Sequence, residues 1–134
     1  MATKIFINLP VKDLNKSKNF FESLGFSFNP QFSDDKAACM IISDSIFAML
    51  LTESYFKTFT KKELCDANKF TEVLIALDAS SRQEVEKTVA RAKELGATIY
   101  ADPADHGWMY QHSFADLDGH QWELAYMDES QMPS

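Results

Sequence analysis

The sequence predicts an α+β domain built from two tandem βαβββ modules, whose curved mixed sheets enclose a groove. Three observations predict it. The order strand, helix, strand, strand, strand occurs twice along the chain. Each helical stretch ends on a Leu-Gly pair, Leu24-Gly25 and Leu95-Gly96, and a short strand follows each pair. Each half then closes with a hairpin on a short turn, Asp44-Ser45 in the first and Asp118-Gly119 in the second. A strand–helix–hairpin unit leaves one sheet face uncovered, and two such sheets can curl toward each other around a shared hollow.

Module one spans residues 1–52. "KIFINLPV" (4–11) alternates, with Ile5, Ile7, Leu9 and Val11 on one face and Phe6, Asn8 and Pro10 on the other. Asp13 reads as a helix N-cap. Leu14, Ser17, Phe21 and Leu24 follow at helical spacing, and Gly25 ends the helix. "FSFNPQF" (26–32) is a short strand running into a proline turn. "AACMIIS" (37–43) and "IFAMLLT" (46–52) form a hairpin.

Residues 53–70 form a polar, Phe-studded connector with one or two short helical turns, where Phe56 and Phe59 either cap the core or lean over a cavity. Module two spans 71–127. "TEVLIALD" (71–78) is a strand, and Ser81 with Glu84 three residues on is a capping box. Val85, Thr88, Val89, Ala92 and Leu95 make the helical stripe. "ATIYA" (97–101) is a short strand, and a Pro/Asp/Gly loop covers 102–107. "WMYQHSFAD" (108–116) and "HQWELAY" (120–126) close the module, leaving a polar tail, 128–134.

The 134 residues suit one domain with a real core. A net charge of −7, with Lys and Arg scattered, argues against nucleic acid and anionic membranes as partners, since both demand a basic face. No apolar run approaches the ~20 residues of a membrane span. "MATKIFINLP" has no basic-then-apolar leader pattern, so a cytoplasmic location is expected. Cys39, inside "AACMII", reads as a buried thiol. Cys65 lies in the polar connector, and no disulfide or zinc spacing is expected.

Two stretches, "NLPVKDLNKSKNFFESLGF" (8–26) and "FADLDGHQWELAY" (114–126), resemble the vicinal-oxygen-chelate superfamily. That superfamily includes glyoxalase I, bleomycin-resistance proteins, fosfomycin-resistance enzymes and extradiol dioxygenases. The resemblance covers residues 4–127, with Leu117 where members often carry proline. In metal-using members each half supplies two ligands, His or Gln from its first strand and Glu from its last. The resemblance places these positions at Phe6, Met49, Glu72 and Glu123. Thr71 is the alternative to Glu72. Glu72 is preferred because that register keeps Val73, Ile75 and Leu77 in the core. Phe has no donor atom and the Met thioether suits soft ions, whereas a working site of this kind wants three or four N/O ligands. The expectation is therefore no intact metal site and no cofactor, with a divalent metal as the alternative.

Glu123 stands between Trp122 and Leu124, either as an exposed strand carboxylate or as a groove-facing catalytic group. If Glu72 and Glu123 share a metal-free groove, their repulsion raises one pKa, and the pair offers a general acid or attracts a cation. His106, His112 and His120 fall on no ligand position. In "WMYQ" Trp108 and Tyr110 share one face, and Met109 and Gln111 the other. The ligand-binding candidates are Phe6, Asn8, Met49, Glu72, Tyr110 and Gln111, an apolar and aromatic set with a few amides. They imply a protein that binds a small apolar or aromatic molecule, and the resemblance implies a homodimer, since many members of this size dimerise. The alternatives are a metal-dependent lyase, isomerase or dioxygenase-type enzyme using Glu72 and Glu123, or an interaction protein with a filled groove.

Overall fold

The computed structural model describes residues 1–133, and the chain divides into two compact units, 1–65 and 66 onward. The first contains β1 (Ile5–Val11), α1 (Leu14–Ser23), β2 (Ser27–Asn29), β3 (Ala37–Ile41), β4 (Ile46–Thr52) and α2 (Glu53–Phe56), with 3-10 turns at Pro30–Phe32 and Lys57–Phe59. Its sheet runs in the order β1-β4-β3-β2; β1 and β4 are parallel and the other pairs antiparallel. Cross-strand partners share a face. Leu9, Leu50 and Ala38 therefore lie together, as do Ile7, Ala48 and Met40. Phe20 and Phe21 of α1 are buried over this face, packed edge to face at 5.0 Å. Met40, Leu50 and Phe21 are almost wholly enclosed, which contributes roughly 1.5–3 kcal/mol for each.

The second unit contains β5 (Ile75–Asp78), α3 (Arg82–Glu94), β6 (Ala104–Asp105), β7 (Met109–Ala115) and β8 (Gln121–Met127), then a 3-10 turn at Glu129–Gln131. Its order, β5-β8-β7-β6, repeats the first unit's pattern, again with one parallel pair, β5 with β8. Val85, Val89 and Ala92 of α3 are buried with Ile75, Phe114, Trp122 and Leu124. The fold is thus α+β, two open four-stranded mixed sheets with helices.

The duplication reaches the helix ends. Gly25 and Gly96 both have positive φ, +108° and +106°. In each case the glycine N–H and the next N–H return to the last turn: Gly25 to Glu22 O and Phe26 to Phe21 O, Gly96 to Lys93 O and Ala97 to Ala92 O. This is the left-handed closure that a Leu-Gly ending implies. The helix starts also match. Asp13 accepts from Lys16 N at 3.1 Å, and Ser81 Oγ accepts from Glu84 N at 3.0 Å. The Glu84 carboxylate, however, accepts from Ser80 N at 2.6 Å and from the Ser80 hydroxyl, one residue before the position a capping box uses. These bonds hold its pKa below the usual carboxylate range.

Two expected strands are corrected. Strand 71–78 begins only at Ile75, because Ile75 pairs with Trp122 and β8 starts at Gln121. Continuing that register to Glu72 would need Gly119, a turn residue, as its partner. Val73, expected in the core, is accordingly 58% exposed. Residues 97–101 form no strand beyond a single bridge, Thr98 to Ala115. The chain then leaves the sheet, Ala101 O meets the His112 ring at 3.1 Å, and Pro103 has no N–H for a ladder. The edge strand forms later, at Ala104–Asp105. Among the described residues no helix is long and apolar enough to cross a membrane.

Candidate functional site

The face of the first sheet opposite α1 is set by the same register. Phe6 pairs with Phe47, Asn8 with Met49, Cys39 with Met49, and Ala37 with Leu51. Phe6 is half exposed and stacks on Phe47, centroids 4.9 Å apart with the rings 12° from parallel. Met49 is half-buried and Asn8 exposed, and both line a cleft of about 340 Å³. Cys39 is buried, and burial pushes its thiol pKa up.

Two further elements wall this cleft. On one side the chain leaves β4 into α2, capped by Thr52, whose Oγ1 accepts from Tyr55 N at 3.4 Å. Tyr55 and Phe59 then meet edge to face at 5.0 Å and 78°, and both line the cleft. On the other side lies the turn into β3. The Ser33 hydroxyl donates to Asn29 O at 2.6 Å and accepts from Cys39 N at 3.1 Å. Asp34 Oδ1 accepts from Lys36 N at 2.8 Å and Ala37 N at 3.0 Å. Ser33 and Asp34 also line the cleft.

In the second unit, Glu123 faces Ser113 and Ala76 across the ladders. Gln111, diagonal to it on the same face, donates from Nε2 to Glu123 Oε2 at 2.7 Å. Glu123 is thus a half-buried carboxylate with one oxygen fixed. Tyr110 lies elsewhere. It pairs with Tyr126, one residue out of phase with Gln111, and is buried on the α3 side, where the Arg82 guanidinium sits 4.3 Å over its ring. Burial, and then the nearby Glu86 carboxylate, push its hydroxyl pKa up. Glu72 lies exposed before β5, and Ala76 occupies the place beside Glu123. By ladder register the position matching Phe6 in this unit is Leu74, not Glu72.

The structure therefore brings Asn8 and Met49 together in the first unit, and Gln111 and Glu123 together in the second. Within the second unit, Tyr110 and Glu72 lie apart from Gln111 and Glu123. Sequence reasoning missed Ser33, Asp34 and Tyr55. The signals were present: the string "SDDK" before an apolar run is an Asx-turn pattern, and Thr52 three residues ahead of Tyr55 is an N-cap.

A model of the Glyoxalase/Bleomycin resistance protein/Dioxygenase superfamily matches residues 5–124. The chain belongs to this superfamily. A solved structure of a hypothetical protein from S. aureus is 30% identical with a TM-score of 0.80, covering 94% of this chain and 95% of that one. A glyoxalase-related enzyme from Fulvimarina pelagi (18% identity, TM-score 0.79, 94% and 88% covered) is similar in fold. So is the fosfomycin resistance protein FosX from Listeria monocytogenes (24% identity, TM-score 0.70, 94% and 91% covered). No curated protein matches the sequence.

The resemblance calls for hard donors at Phe6, Met49, Glu123 and a fourth position that the sequence assigned to Glu72 and the ladder register gives to Leu74. These residues do not fit a divalent metal. Phe6 spends its ring on Phe47, Met49 offers a thioether, and Glu72 stands off the sheet. Among the described residues no group of three or more His, Cys, Asp or Glu is gathered to hold a metal ion.

Proposed function

We propose that this glyoxalase-superfamily protein binds a small apolar or aromatic molecule on the open face of its first sheet, without the hard-metal chelation that metal-using members employ. One observation carries the reading. Met49, at a position where the resemblance calls for a metal ligand, instead lines an aromatic cleft together with Asn8. Phe6, Asn8 and Met49 are the proposed ligand contacts. Glu123, held by Gln111, is the proposed catalytic carboxylate of the second unit. Tyr110 and Glu72 drop out of the set. The proposed quaternary state is a homodimer, supported by half-exposed Ile5 and Phe6 on the edge strand β1.

The neutral fluorescent aromatic N-phenyl-1-naphthylamine tests this reading. Its emission should rise saturably to one site per chain and be indifferent to EDTA or added Zn²⁺, Ni²⁺ or Mn²⁺. Met49→Asp, which puts a charge on the apolar wall, should weaken binding about tenfold or more. Binding that needs a divalent metal, or that ignores Met49→Asp, would refute the reading.

A further inference from the structure

Resting on that reading, we infer that the first-unit cleft selects a cation: an amine or quaternary ammonium compound with an apolar or aromatic body. Asp34 is the only charged side chain among the ten residues that line the cleft, which include no Lys, Arg or His. Its Oδ1 is committed to the backbone of Lys36 and Ala37, and Oδ2 has no protein hydrogen bond among the described residues. One oxygen is therefore anchored and the other is available to a ligand's positive charge. The second component is aromatic. The edge-to-face arrangement of Tyr55 and Phe59 leaves ring faces for a cation, and an ammonium group near them is attracted by the ring quadrupole.

The floor suits the rest of such a molecule. Met49, Leu51 and Ala37 supply apolar surface, and Met in particular adapts to irregular shapes. Asn8 offers a neutral amide for one hydrogen bond. The net charge of −7 adds a weak field of the same sign, drawing cations and turning away anions. A carboxylate in water and an open ring face are each modest attractors, so the expected preference is about tenfold for a cation over a neutral compound of the same shape.

Phenyltrimethylammonium and tert-butylbenzene are such a pair, equal in shape and different in charge. Each is titrated against bound N-phenyl-1-naphthylamine, and the cation is also titrated directly by calorimetry. The cation should displace the probe at about one-tenth the concentration the hydrocarbon needs, and benzoate should not compete. Asp34→Asn keeps an Oδ1 for the two backbone N–H groups, so the turn survives, and it should bring the ratio close to one. Phe59→Leu, which keeps apolar bulk without a π face, should lower the ratio part-way. Equal competition in the wild type, or an unchanged ratio in Asp34→Asn, would overturn charge selection and leave the apolar-ligand reading standing. A probe that fails to bind while the cation binds in an Asp34-dependent way would do the reverse. Failure of both ligands would remove both conclusions.

Discussion

Asp116 is a buried carboxylate held by three donors. It lies at the end of β7, where Oδ1 accepts from Asp118 N at 2.9 Å and His120 N at 3.0 Å, and Oδ2 accepts from Trp122 Nε1 at 2.9 Å. Burial pushes its pKa up, while the His120 charge and the Trp122 N–H pull it back. Asp116→Ala would take away the carboxylate to which three donors of the closing turn are bonded, one of them the indole of the largest fully buried side chain. The expected loss is about 3 kcal/mol or more, read as a lower urea midpoint, with Asp116→Asn costing less because it keeps one acceptor oxygen. An Asp116→Ala protein as stable as wild type would show that this network does not hold the turn. Sequence reading singled out Glu123 for its apolar flanks, Trp122 and Leu124, and passed over Asp116. The reason is physical: the donors to Asp116 are backbone N–H groups and one ring nitrogen, and residue types do not announce which backbone groups a turn will aim inward.

At the scale of elements, the closing hairpin turn shows what a glycine is for. Gly119 has φ +88°, and a Cβ there would lie 2.6 Å from Asn68 Oδ1 and 2.8 Å from the backbone at Ala67 and Asn68. The segment just before β5 is itself a fixed turn, with Asp66 accepting from Asn68 N through its side chain and from Lys69 N and Phe70 N through its carbonyl. Gly119→Ala thus meets both an unfavourable backbone conformation and atoms that cannot easily yield, and should cost about 3 kcal/mol. Gly25→Ala, at φ +108° with nothing within 4 Å, carries only the conformational term and should cost about 1 kcal/mol. Urea unfolding of the two variants checks the order, and equal losses would mean the contact with 67–68 is not maintained. Helix ends, hairpins and the order of elements along the chain were readable from local patterns because caps and turns are local chemistry. The start of β5 and the loss of strand 97–101 were not. Each depends on where a partner strand begins or where the chain leaves it, and neither is written in the segment itself.

At the scale of the whole chain, one architecture has been used twice with different open faces. The first sheet presents Phe6, Phe47 and Met49, and the second presents Gln111, Ser113 and Glu123. That contrast was partly readable, since alternation along β1, β4 and β8 separates the faces, but Asp34 and Tyr55 come from turns that no alternation governs. The first sheet also ends on β1, an edge strand with Ile5 52% and Phe6 51% exposed. Apolar side chains on an unpaired edge favour association, and a lysine there opposes it. Light scattering of the purified protein should give about twice the 15.2 kDa chain mass. Ile5→Lys should shift it toward the mass of one chain with little change in helix and strand content, because Ile5 contributes little to the core. A wild-type mass of one chain would refute the homodimer, and a dimer indifferent to Ile5→Lys would place its interface away from this edge.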